Sequence, residues 1–335
     1  MRSSRLARLG TATALVSACL ATSARARAQA TSKEAFGFGV ERLYTSAPGA
    51  GWFVMDALDM HGALGGVISI TGDYANQPLR VAARDGSGQV TAVPVVSSEA
   101  SALLAAAVTY GRFRLSFQLD RLFVVEGRSA TVGAYHYAAP SIDPGTAPDA
   151  FSDSRVGFEA RLLGDAESAV RVGVGAQLFI PTGSRDDYVS DDTYRGMARV
   201  LFAGDRGLFT YAGHLGVHVR PIQNDDTPGS PHGSELLYGV AGGIKLPVPA
   251  LGGSSGVETV IVGPELYGET AFNAFFDKET TGLEGLLSAR LEPLHGCPGS
   301  AQLRFKVGMG AGLDAYFGTP QWRALASVEM FDFGR

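Results

Sequence analysis

Residues Ser154–Gly183 read SRVGFEARLLGDAESAVRVGVGAQLFIPTG, and they decide the fold. Two runs flank the turn Gly164-Asp165-Ala166-Glu167. In the first, Val156, Phe158, Ala160 and Leu162 alternate with Arg155, Gly157, Glu159 and Arg161. In the second, Val170, Val172, Val174, Ala176, Leu178 and Ile180 alternate with Arg171, Gly173, Gly175 and Gln177. A period of two places each set on one face of a strand. One face is wholly apolar and the other carries charges and glycines. A soluble sandwich would turn the apolar face inward. A membrane barrel would turn it toward lipid and the charges toward the lumen.

Length and connectivity choose between these. The alternation recurs over Arg112–Leu122, Tyr194–Phe202, Leu208–Arg220, Glu235–Leu246, Val257–Glu269, Leu283–Glu292, Gln302–Leu313 and Gln321–Met330. Most runs hold about 9–13 residues, whereas soluble strands peak near 5–6. A tilted strand needs roughly 9–11 residues to cross a bilayer. The connections alternate as well. Glu126–Asp153, Pro181–Thr193, Pro221–Ser234 and Thr270–Gly282 are long and polar. Those at Gly111, 163–168, 203–207, 247–256 and 293–300 are shorter. Long loops at one end and short turns at the other are the asymmetry of an outer membrane barrel.

The expected fold is therefore all-β, a transmembrane antiparallel up-and-down β-barrel. Counting from Ala102–Tyr110 onward gives eleven strands. Both chain ends on the short-turn side require an even total. The region before must add one strand or three, and its pieces VISITGDY, LRVAAR and VTAVPVV, parted at Asn76-Gln77-Pro78 and Asp85-Gly86-Ser87-Gly88, are short. Twelve strands is the preferred count and fourteen the alternative. Tyr110, Phe123, Phe209, Tyr211, Tyr267 and Trp322 fall near strand ends, as interfacial aromatic belts do.

Composition agrees. Of 335 residues, 44 are Gly and 18% are charged, fewer than in an ordinary soluble domain. Residues 1–30 read as a secretory signal peptide: Arg2, Arg5 and Arg8, the apolar Leu9–Leu20, then Ala28-Gln29-Ala30 as the cleavage site. Leu15-Val16-Ser17-Ala18-Cys19 offers a lipobox as the competing export signal. Cleavage after Ala30 takes the formal charge from −5 to −10, because five arginines leave. An acidic chain argues against nucleic-acid binding. Cys297 would remain as a lone thiol, unable to form an internal disulfide. Residues 31–63 form an N-terminal lead-in, either periplasmic or a first strand, and 64–333 the barrel.

With apolar faces in lipid, the lumen would be lined by Arg112, Arg114, Arg155, Glu159, Arg161, Arg171, Arg195, Arg199, His214, His218, Arg220, Glu265, Arg304 and Lys306. Asp120, Gln177, Arg290, Gln302, Arg323 and Glu329 share that phase. An Arg or Lys turned to lipid at the midplane would cost ~2–4 kcal/mol, which fixes the register. Basic groups outnumber acids, so a water-filled lumen would favour anions. Cross-strand pairing of Arg and Glu would instead close it. His214 and His218 lie about 13–14 Å apart along a strand, too far to share a metal. The acidic Arg185–Asp192 lacks the carboxylate spacing of a calcium loop.

Enzyme signals are weak. Gly252-Gly253-Ser254-Ser255-Gly256 matches a nucleophile elbow in letters, but it needs a strand before it and a helix after it. Ser288 and His295 are the sole pairing that a rim-active lipid enzyme would suggest. No catalytic residue, metal or cofactor is expected.

The phrases GWFVMDALDM, GDYANQPL, LLGDAESAVRVGVGAQLFIPTG, FTYAGHLG, GSELLYGVAGG, VGPELYG and LDAYFGTPQWRALASVE resemble the barrel part of bacterial OmpA-type outer membrane proteins, over residues 35–331. That resemblance implies an outer membrane location, with membrane lipid, lipopolysaccharide and the barrel assembly machinery as partners. No peptidoglycan-binding domain follows the barrel phrases, so wall anchoring is not carried over. The end VEMFDFGR is similar to an assembly signal, although Phe331 and Phe333 fall in the lumen phase unless a bulge intervenes. Three functions follow in order: a porin-like passive channel for small solutes with a basic-leaning lumen, a closed structural or surface-interaction barrel, and a rim-active lipid enzyme. Oligomeric state is not legible.

Overall fold

The computed structural model describes residues 33–60, 62–84, 90–140, 142, 151–222, 233–249, 257–277, 280–292, 302–314 and 318–333. Residues 1–30, expected to be a signal peptide, both cysteines, the 252–256 glycine motif and His295 lie outside these residues.

Twelve antiparallel strands close into one barrel. They are β1 (Gly62–Arg84), β2 (Val90–Gly111), β3 (Phe113–Glu126), β4 (Ser154–Leu163), β5 (Arg171–Ile180) and β6 (Arg195–Arg206), then β7 (Phe209–Val219), β8 (Glu235–Pro249), β9 (Val257–Ala271), β10 (Thr281–Glu292), β11 (Gln302–Asp314) and β12 (Trp322–Phe333). Each pairs with its sequence neighbours. The seam closes where β12 meets β1, with Val328 opposite Ile70 and Glu329 opposite Ser69. Closure leaves no edge strand unpaired, which a bilayer requires.

The faces divide as the alternation demands. On β11, Lys306 is 6% exposed and its neighbour Val307 58%. Leu303, Phe305 and Met309 are likewise exposed, as are Phe113, Leu115 and Phe117 on β3. An apolar skin around a charged interior inverts the soluble pattern and is a lipid-facing surface. Tyr110, Phe123, Phe209 and Trp322 lie on that skin. Tyr267 does not: it shares the phase of Glu265 and Glu269 and is buried in the lumen.

Two expectations change at the N-terminal end. The short runs before residue 102 join into one strand of 23 residues and the first half of a second, of 22, that continues through Ala102–Tyr110, so they add a single strand to the count. Asn76-Gln77-Pro78 is a bulge rather than a turn: the β1–β2 register shifts between Asn76 and Leu79, and Gln77 takes φ 50°. The two strands run past the barrel rim at the long-loop end. There Leu79, Val81, Val95 and Val96 pack with Leu122, Val125 and Ile142, and with Ala130 and Tyr137 of the small hairpin 130–132/135–137.

The second change concerns residues 35–60, which are neither periplasmic nor a wall strand. They run through the lumen. Val40 donates its N–H to Tyr188 O (2.9 Å) at the long-loop end. Arg171 and Arg161, near the short turns, donate to Ala57 O and Leu58 O (2.8 Å each) at the other. At the C-terminus Phe331 is buried and faces inward, and the β12–β1 register carries no bulge.

A closed barrel of this kind resists detergent until heated. Unboiled protein in dodecyl sulfate gels is expected to migrate faster than boiled protein; identical migration would contradict closure.

Candidate functional site

The lumen is a built interface between the wall and the threaded segment. Its apolar half is Trp52-Phe53-Val54-Met55, all buried. The chain folds into a tight loop here, with Gly51 bridging Asp56 and Ala57 donating to Ala50 O (2.9 Å). The wall opposite supplies glycines. A methyl group on Gly243 would stand 2.7 Å from the Trp52 ring, and one on Gly308 2.9 Å from Phe53. On Gly239 it would collide with Met55. These inward positions stay bare because the side chains of the segment fill them.

One carboxylate clamps that loop. Glu265 accepts the N–H groups of Phe53 (3.0 Å), Val54 (2.8 Å) and Met55 (3.4 Å), and the Ser288 hydroxyl (3.0 Å). Ser288 therefore sits inside the lumen and serves as a donor there. It is not at the lipid-facing rim where the Ser288–His295 pairing would need it.

Charge pairs complete the interface. Arg114 binds Asp56 (2.7 Å) and Asp59 (3.3 Å) of the segment. Arg323 binds Glu41 (2.9 Å) of the segment, together with Glu284 (2.9 Å) and Asp73 of the wall. Arg42 of the segment reaches back to Glu235 (3.0 Å) and Glu269. Arg304 joins Glu292 (2.7 Å) and Glu329 (3.1 Å), and Lys306 joins Glu329 (2.7 Å). Arg195 pairs with Asp153 and Arg220 with Asp191, both at 2.7 Å.

Of the fourteen residues expected to line the lumen, Arg114, Arg155, Glu159, Arg161, Arg171, Arg195, Arg199, His214, His218, Arg220, Glu265, Arg304 and Lys306 are buried. Arg112 is not among them. It follows the left-handed Gly111 in the β2–β3 turn, half exposed, and contacts Asp165 of the next turn (3.3 Å). Periodicity placed it one residue inside the strand, whereas β3 begins at Phe113. The acids that balance the arginines were largely missed. Glu41, Asp56 and Asp59 belong to a segment without strand alternation, and Asp153 and Asp191 to loops.

The acidic loop Arg185–Asp192 is also partly internal. Asp191 is buried and accepts from Gly39 N–H (2.7 Å), so the loop grips the segment. Burial alone would push its carboxyl up. Arg220 and Arg195 outweigh that and hold it below the ordinary carboxylate range.

The cavities left between segment and wall are small, about 20 Å³ beside Tyr44 and His214 and about 40 Å³ beside Arg155 and Arg195. Each has room for a water or two. The described lumen is closed by the chain itself.

Charged interior, apolar skin and closed twelve-strand ladder define a transmembrane β-barrel. No protein family description matches the chain, and no curated protein matches it. Among solved structures it is similar to an outer membrane channel of Pseudomonas putida F1, with 13% identity over 81% of this chain and 96% of that one, at a TM-score of 0.49. It is also similar to the NanC porin, with 10% identity, 80% and 100% coverage and a TM-score of 0.42. A third is the anion-selective porin from Comamonas acidovorans, with 11% identity, 80% and 98% coverage and a TM-score of 0.31.

Two variants test the clamps. Glu265→Ala leaves the backbone donors of the 53–55 loop without an acceptor, at about 1–3 kcal/mol each. Protease should then cut within 35–60 in detergent-folded protein, while wild type resists and Glu265→Gln, which keeps one of the two acceptor oxygens, falls between. Asp191 has a depressed folded pKa, so its contribution is present above the ordinary Asp value of about 3.9 and is lost as pH falls below it. Loop 181–194 should stay protected from protease in wild type between pH 5 and 7. Asp191→Asn should lose that protection at neutral pH, since breaking a buried pair costs ~3–5 kcal/mol; equal protection would contradict the pairing.

Proposed function

We propose that this protein is an outer membrane channel for small solutes whose lumen is gated by its own residues 35–60. The observation that carries this reading is the independence of the barrel from its plug. The twelve strands close without the segment, which among the described residues joins no wall strand. Side-chain clamps and loop contacts hold it in place. Withdrawing it leaves every wall ladder bond intact.

The charge left behind suggests what would pass. The segment carries three acids, Glu41, Asp56 and Asp59, against the single Arg42. Its departure uncovers Arg114 and part of the Arg323 cluster, and at Arg42 the carboxylates of Glu235 and Glu269, a net change of two charges toward the basic side. An open lumen would then be basic-leaning and favour small anions. A barrel that instead stays shut is the second reading. Its support is the apolar cap at the long-loop end, where Phe38 and Val40 of the segment pack with Tyr188, Val189 and Leu79. The resemblance to OmpA-type barrels fits either reading. It adds lipopolysaccharide and the assembly machinery as partners of the same barrel. No role in catalysis is proposed.

Conductance separates the two. In planar bilayers, wild type should be closed for most of the time. Glu265→Ala, or deletion of residues 35–58, should give steady openings with anion preference. A wild type that never opens, beside a correctly folded deletion protein that conducts, would favour the permanently closed barrel; a silent deletion protein would contradict a lumen blocked by the segment.

A further inference from the structure

Three wall residues outside the Glu265 clamp carry metal-ligand chemistry. His218, Glu235 and Glu269 stand on the adjacent strands β7, β8 and β9, near the long-loop end, and all are buried. His218 lies opposite Glu235 in the ladder. Its Nδ1 is 3.4 Å from Glu235 Oε2 and 3.8 Å from Glu269 Oε2. One donor atom from each residue falls within 4.8 Å of the others. An imidazole and two carboxylates form the donor set of a first-row divalent ion.

A cation already sits there. Arg42 Nη1 is 3.0 Å from Glu235 Oε2 and contacts Glu269. The threaded segment brings this guanidinium in; the wall does not own it. The neighbouring wall cation, Arg220, is committed to Asp191 through two hydrogen bonds of 2.9 and 2.7 Å, and only its Nη1 approaches Glu235, at 3.7 Å. Glu269 Oε2 accepts no hydrogen bond although it is buried and turned toward His218. The Tyr44 hydroxyl, also from the segment, is 3.3 Å from His218 Nδ1.

We propose that His218, Glu235 and Glu269 form a divalent transition-metal site of the unplugged barrel, with Arg42 as its tethered competitor. The site rests on the gated reading above. Removing Arg42 leaves two buried carboxylates facing a single shared arginine, which is unfavourable unless another cation enters. An ion such as Zn²⁺ binds the three ligands once the guanidinium has left. By linkage, the ion favours the open state by the same factor with which the plug weakens the ion. A divalent metal is therefore a ligand for opening. The imidazole selects Zn²⁺- or Co²⁺-like ions over Ca²⁺, which takes oxygen donors.

The test uses the full chain folded in detergent. Arg42→Met should bind one Co²⁺, read by its visible absorption, at least about tenfold tighter than wild type. Adding His218→Ala to that variant should abolish the absorption. A folded Arg42→Met protein without such binding overturns the site. If Arg42→Met does not fold, wild type decides: millimolar Zn²⁺ should speed protease cleavage within 35–60, and the effect should vanish in His218→Ala. No Zn²⁺ effect on wild type in that case overturns the site. Bilayer recording of Arg42→Met separates the two ideas. Metal binding without openings keeps the site and removes the gate, whereas openings without metal binding keep the gate and remove the site.

Discussion

An arginine facing the inside of a barrel needs a counter-charge, and this chain provides much of it from a segment that is not part of the wall. Hydrocarbon forces the apolar set of every strand outward. That leaves Arg114, Arg304 and Arg323 in a narrow interior of low dielectric. Isolated there, each would be strongly unfavourable. Asp56, Asp59 and Glu41 arrive with the threaded segment, and Glu292, Glu329 and Glu284 come from neighbouring strands. Lumen and plug are thus one electrostatic unit, while the sheet is closed independently of it.

The two ends of the segment are held by different physics. At mid-barrel the contact is steric and polar: Trp52, Phe53 and Met55 fill sites left bare by wall glycines, and Glu265 gathers the backbone N–H groups between them. Toward the short turns Arg161 and Arg171 hold the carbonyls of Leu58 and Ala57. At the long-loop end the contact is apolar and ionic, with Phe38 and Val40 in a cap made by the overhanging β1–β2 hairpin and the loops, and with Arg42 and Glu41 paired to the wall beside it. A ligand that acts on Arg42 alone leaves the other clamps in place, so a partial opening needs less change than full withdrawal.

The wall was legible in the sequence. A period of two over long runs, with Arg and Lys in one phase, gave strand count, closure and the direction of nearly every charged side chain, because a single register slip would put those charges into lipid. The plug was not legible. GWFVMDALDM has neither strand alternation nor a helical stripe; its shape is set by the cavity that receives it. The inward glycines Gly239, Gly243 and Gly308 were a signal that could have revealed it. Bare inward positions in a small barrel imply something else filling the space. Arg112 shows the limit of the pattern at a strand end, where a turn reverses a side chain; Tyr267 shows that alternation with Glu265 outranks proximity to a strand end.

The central claim is that residues 35–60 occupy the lumen. The chain has two tryptophans, Trp52 in the plug and Trp322 on the outer skin. In a Trp322→Phe background, emission comes from Trp52 alone. Folded protein in detergent should show blue-shifted emission that aqueous iodide barely quenches, because the ring lies against Gly243 inside the wall with the Arg290 guanidinium over its face at 4.6 Å. Emission at the position of a free indole, quenched as readily as in the unfolded chain, would place the segment outside the barrel and contradict the account.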